Sequence, residues 1–167
     1  MKLINPKKRL FFSVSFFAIL LFLPLPLFAQ TAAKLEALLN EPALTWSAAA
    51  AFVLEAAGSE NPPGSLGQEE SFSAYRFAVE RKWLPKDAAP EDTARLNGIA
   101  LLLMRSFNLK GGIFYSLSKS PHYAYRELVY SGMIRGDTDP GMPVSGRELL
   151  LIISRILSVK EKEEAHI

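Results

Sequence analysis

The chain has 167 residues, 49% of them hydrophobic, with 19 basic against 17 acidic side chains and no cysteine. Without a thiol it holds no disulfide, no thiolate metal site and no lipid-modified cysteine of the kind that anchors a lipoprotein. Lys2, Lys7, Lys8 and Arg9 supply four of the basic residues, which leaves 15 against 17 acidic beyond them and no electrostatic footprint for nucleic acid.

Those N-terminal charges precede the apolar run "LFFSVSFFAILLFLPLPLFA" and then polar, helix-prone "QTAAK". The order predicts a secretory signal peptide over 1–29, cleaved after Ala29, with Leu27 and Ala29 at the positions the peptidase reads. An uncleaved anchor is the alternative, since about 20 apolar residues span a bilayer. Pro24 and Pro26 break the helix where such a span would continue. The expected address is therefore exported, periplasmic or associated with the cell envelope, with no stable membrane span after cleavage.

Residues 30–158 are expected to form one all-α domain, followed by a charged tail over 159–167, "VKEKEEAHI". "TAAKLEALL" (31–39) and "LTWSAAAAFVLEAAG" (44–58) read as two helices, and "GSENPPGSLGQEES" (58–71) as a flexible connector. Sliding the chain against itself by fifty residues places "AYRFAVERKWLPKDAAP" (74–90) on "AYRELVYSGMIRGDTDP" (124–140). Ala74, Tyr75, Arg76, Val79, Asp87, Pro90, Leu101 and Arg105 meet identical residues at Ala124, Tyr125, Arg126, Val129, Asp137, Pro140, Leu151 and Arg155. Roughly two or three such matches are expected by chance, so the offset marks a repeat.

Each unit reads as helix, loop, helix. Apolar residues at 74, 75, 78, 79 and at 124, 125, 128, 129 make one helix face. Ser120 and Pro121 supply an N-cap and a first-turn proline to the later copy. The second helices, "GIALLLMRSF" and "ELLLIISRIL", are apolar almost all round, as in a central bundle. A buried strand is the alternative for such short runs, and the total length near 14 residues favours helix. Doubling the offset brings 44–58 onto 144–158, a degenerate third copy, giving repeats at 31–58, 71–108 and 121–158. "LKGGIFYSLSK" has two glycines that end a helix and an aromatic patch that must pack somewhere.

A fifty-residue helix, loop, helix unit, in which a Gly-Asp loop with a proline leads into a Thr/Ser-initiated apolar helix, resembles the S-layer homology (SLH) repeat. "LVYSGMIRGDTDPGMPVSGRELL" is the segment most similar to it. The resemblance implies a pseudo-threefold arrangement of repeats around a central helical bundle. It also implies a non-catalytic module that associates with envelope polysaccharide or a surface layer. In that family a Thr-Arg-Ala-Glu motif opens the second helix, and its arginine contacts the anionic glycan. The motif maps onto Ser145, Gly146, Arg147 and Glu148, onto Arg95, Leu96, Asn97 and Gly98, and onto Thr45, Trp46, Ser47 and Ala48. No copy has arginine at the second position, and Arg147 points about 100 degrees around the helix from it.

"RGDTDPGMPVSGRE" (135–148) invites sharper readings. Asp137, Asp139, Ser145 and Glu148 match acidic or hydroxyl positions of an EF-hand loop. Gly141 and Met142, however, stand where an oxygen ligand and a glycine are required. Ser145 and Glu148 instead form a capping box, Asp137 and Pro140 a turn, and the Arg-Gly-Asp triplet is too short to argue adhesion. Two isolated histidines, no cysteine and no paired carboxylates predict neither an enzyme nor a cofactor or metal site. The candidate ligand-binding residues are Arg76, Arg126, Ser145, Arg147 and Glu148, with envelope polysaccharide or another envelope protein as partner. A protein-interaction or scaffold role that keeps the repeat fold without glycan, through exposed aromatic patches such as "GIFYSL", is the second expectation.

Overall fold

The computed structural model describes residues 35–58 and 68–165. The expected signal peptide and its cleavage site lie outside them, as does most of the connector. Chain contacts separate Met1–Leu35 from Glu36–Ile167, and the elements below belong to the second unit. They are all helical, with no strand among the described residues. After a helical segment over 36–40 come α1 (Trp46–Ala56), α2 (Gln68–Glu80), α3 (Leu96–Ser106), α4 (Ile113–Ser118), α5 (Pro121–Tyr130) and α6 (Gly146–Glu164).

The starts of α1, α3 and α6 are fifty residues apart, and local chemistry sets two of them. Thr45 Oγ1 accepts from the Ala48 N–H at 3.3 Å, and Ser145 Oγ accepts from the Glu148 N–H at 3.3 Å. Arg95 occupies the corresponding position of α3 without a side-chain cap. There the first N–H groups go to the next loop: Leu96 donates to Met142 O at 3.0 Å and Asn97 to Pro140 O at 2.9 Å. Trp46 and Ser47 donate likewise to Asp92 O and Pro90 O, so loop carbonyls satisfy donors that every helix start leaves orphaned.

One residue before each cap, the backbone closes a ring. Leu44 N–H donates to Val144 O (2.9 Å), Val144 N–H to Ala94 O (3.1 Å), and Ala94 N–H to Leu44 O (2.8 Å). All three residues are buried, so the ring pairs polar groups that would otherwise be stranded in the core. From it α1 packs on α2 and α3 on α5, while α1 also touches α3 and α6. The core is built from the apolar side chains of α3, Leu96 and Ile99 to Met104, together with Val53, Leu54, Leu149, Ile152 and Ile156. The segment whose apolar run left a strand open is thus a helix, buried on several sides as its composition implies.

Peripheral helices end and turn alike. Lys82 (φ 58°) and Gly132 (φ 73°) take the left-handed conformation that closes a helix, and Trp83 and Met133 N–H groups reach back to Ala78 O and Leu128 O. Tyr75 and Tyr125, expected on the apolar face, are half-buried, and their hydroxyls donate to Ala88 O and Thr138 O, each at 2.7 Å. Each tyrosine thereby ties a helix to its own following loop.

Three expectations change. The first helix of the middle copy starts at Gln68, inside the expected connector, because "QEES" is helix-prone and Gly67 is the last breaker. The expected tail is helical as far as Glu164, since "VKEKEE" lacks a breaker, and Lys160 Nζ donates to Phe107 O at 3.4 Å. Gly111 and Gly112 do not end α3. That helix closes at Phe107, with Asn108 left-handed (φ 50°), and Gly112 caps α4.

Candidate functional site

Among the described residues, cavities open beside the starts of core helices. The first, about 520 Å³, is lined by Trp46, Pro85, Asp87, Asp92, Arg95 and Asn97 among others. The second, about 270 Å³, is lined by Arg135, Ser145, Arg147, Glu148, Leu151 and Arg155 with Ile134 and Ile152. Pro85, Arg95 and Asn97 of the first stand fifty residues before Arg135, Ser145 and Arg147 of the second. The same backbone hollow thus carries different chemistry: mixed acid and base in the first, three guanidinium groups and one carboxyl in the second.

Of the residues expected to bind a ligand, Ser145, Arg147 and Glu148 come together in the second cavity. Arg76 and Arg126 lie exposed on α2 and α5 and line neither cavity. Arg135 and Arg155 were not expected there, although the match of Arg155 to Arg105 at the fifty-residue offset marked it. Their guanidiniums are pinned by the loop: Arg135 Nε donates to Gly132 O and Arg155 to Met133 O, both at 2.8 Å. Each spends one of five donors on that bond and presents a rigid planar cation.

Glu148 is half-buried at the start of α6. Burial pushes its carboxyl above the ordinary glutamate range, and a hydrogen bond with the Ser145 backbone pulls it back. Together with the Ser145 hydroxyl bond this is the reciprocal capping box. In the preceding loop Asp139 serves the backbone too. Asp139 Oδ1 accepts from the Gly141 N–H at 2.6 Å, so the turn assigned to Asp137 and Pro140 is closed by Asp139. Among the described residues no three His, Cys, Asp or Glu side chains gather as metal ligands.

Each of the three positions at which the resemblance would place arginine is buried. Trp46 and Leu96 lie in the core. Gly146 packs so closely under the backbone carbonyl of Leu38 that a Cβ would collide with it, and its N–H donates to Glu41 O at 3.0 Å. Gly98 likewise leaves room for the Trp46 ring and Pro85. No family model, curated protein or solved structure matches the chain.

Proposed function

We propose that the chain is an exported, non-catalytic envelope-binding module built from SLH-like repeats in pseudo-threefold order, and that its second cavity takes an anionic group of envelope polysaccharide. The Leu44, Ala94 and Val144 ring supports the repeat reading, because a closed cycle at fifty-residue spacing is what three similar units around one axis produce. The observation that carries the binding reading is the convergence of Arg135, Arg147 and Arg155 on one hollow, two of them fixed by backbone carbonyls. Planar guanidiniums held in place pair with carboxylate or phosphate oxygens at low entropic cost.

Pull-down of the full chain with purified anionic envelope polysaccharide tests this reading. Arg147→Glu, at an exposed position, is expected to weaken binding at least about tenfold, the equivalent of ~1.4 kcal/mol. Retention no greater than that of an unrelated exported helical protein removes the glycan reading.

A second reading keeps the fold and replaces glycan with another envelope protein. It is favoured by the burial of Trp46, Leu96 and Gly146 where the family would place its glycan-contacting arginine. Crosslinking in intact cells that recovers only the monomer counts against it.

A further inference from the structure

The six residues of α4, "IFYSLS", turn their apolar side chains outward. Ile113 is 83% exposed, Phe114 68% and Leu117 87%, whereas Tyr115 on the opposite side is buried. The cause is local. Gly111 lies against the Tyr115 ring so closely that a Cβ there would collide with it, Phe114 stacks on Tyr123 with ring centroids 5.7 Å apart, and Lys119 closes the helix in the left-handed conformation. One aromatic ring thus anchors the segment from beneath, and its neighbours are carried into solvent. Ile113 and Leu117, four residues apart, share one helix face, and Phe114 flanks it.

The surrounding charge selects the partner. Exposed Lys110 and Lys119 bracket the helix, and from Thr93 to Arg126 the chain contains no aspartate or glutamate. Glu127, whose carboxylate lies against Gly112, is the next acid. Large apolar side chains rimmed by lysines match the boundary of an anionic bilayer, where the apolar groups enter the acyl region and the ammonium groups meet lipid phosphates. A second copy fits less well. A symmetric pair would bring Lys110 and Lys119 of both copies to the same contact, where like charges oppose each other.

We propose that α4 is a membrane-surface foot: Ile113, Phe114 and Leu117 insert shallowly into an anionic phospholipid leaflet, with Lys110 and Lys119 on its headgroups.

The absence of cysteine makes the test site-specific. The full chain carrying Leu117→Cys, labelled with an environment-sensitive fluorophore, is mixed with vesicles of equimolar phosphatidylglycerol and phosphatidylcholine. A second sample carries the label at exposed Ser154→Cys on α6, which controls for any vesicle binding through the apolar N-terminal run. The 117 label is expected to gain at least about threefold in intensity and to be quenched by brominated acyl chains, the 154 label to do neither, and Lys110→Glu/Lys119→Glu to abolish the response at 117. An unchanged 117 label overturns the proposal, as does an equal response at both sites. Burial of the 117 label without vesicles, rising with protein concentration, overturns it in favour of a second copy. Circular dichroism confirms that each variant keeps its helix content.

Discussion

The backbone carbonyl of Leu38 occupies the space into which a side chain on Gly146 would grow. Family resemblance alone would make Gly146→Arg a gain of function, restoring a glycan-contacting arginine. The contact reverses that expectation. Because the obstacle is backbone, even Gly146→Ala must shift the 36–40 segment or the start of α6, and such overpacking costs about 1–3 kcal/mol. Urea unfolding is expected to show both variants destabilised, arginine at least as much as alanine, with no gain in polysaccharide retention.

Tyr75→Phe and Tyr125→Phe remove the hydroxyls that hold the following loops at Ala88 and Thr138. Each leaves a loop carbonyl without that donor and is expected to cost about 1 kcal/mol. Tyr125→Phe should cost slightly more, since its hydroxyl also meets the Thr138 hydroxyl at 2.9 Å. Denaturant midpoints at unchanged slope check both values.

Lys82 adopts φ 58° where Gly132 serves fifty residues later at φ 73°. A side chain in the left-handed conformation costs roughly 1–2 kcal/mol, part of which glycine returns as unfolded-state entropy. Lys82→Gly is therefore expected to raise stability by about 0.5–1 kcal/mol, and Gly132→Ala to lower it by about 1 kcal/mol. Thermal unfolding of the pair distinguishes the two signs.

The capping box of α6 gives a pH signature. Ser145→Ala should cost about 1 kcal/mol at any pH at which the helix forms. Glu148 behaves differently, because its folded-state carboxyl is raised above its ordinary value by burial. The folded chain then holds that proton more tightly than the unfolded chain, so stability falls as pH rises from the ordinary glutamate value through the raised one. Glu148→Gln keeps a side chain that serves the box and removes the titration. Relative to the parent, its stability is expected to improve between acid and neutral pH. Urea curves at both pH values measure the difference.

Much of the local architecture was legible in the residues. Ser120 followed by Pro121, Thr45 before an alanine run, and Ser145 three residues before Glu148 start helices through oxygen atoms placed within reach of free N–H groups. Such contacts need only neighbours in sequence. The fifty-residue offset was equally visible, and it recurs in the starts of α1, α3 and α6 and in the two tyrosine hydroxyl bonds. The exposure of α4 was legible as an exposed patch in "GIFYSL", whereas the division within it, Tyr115 inward and Ile113, Phe114 and Leu117 outward, was not, because it depends on what Tyr115 packs against.

The sequence by itself determined the helical class, the caps, the turn chemistry and the spacing, because these depend on periodicity and on bonds spanning a few residues. Tertiary structure decided which side chains share a hollow and which positions admit one at all. The Leu44, Ala94 and Val144 ring joins residues fifty and a hundred apart, and it sets the loops against neighbouring helix starts. That juxtaposition brings Arg135 and Arg155 to Arg147 and puts the Leu38 carbonyl over Gly146. Distances between such residues follow from packing of the whole chain, which no local pattern encodes.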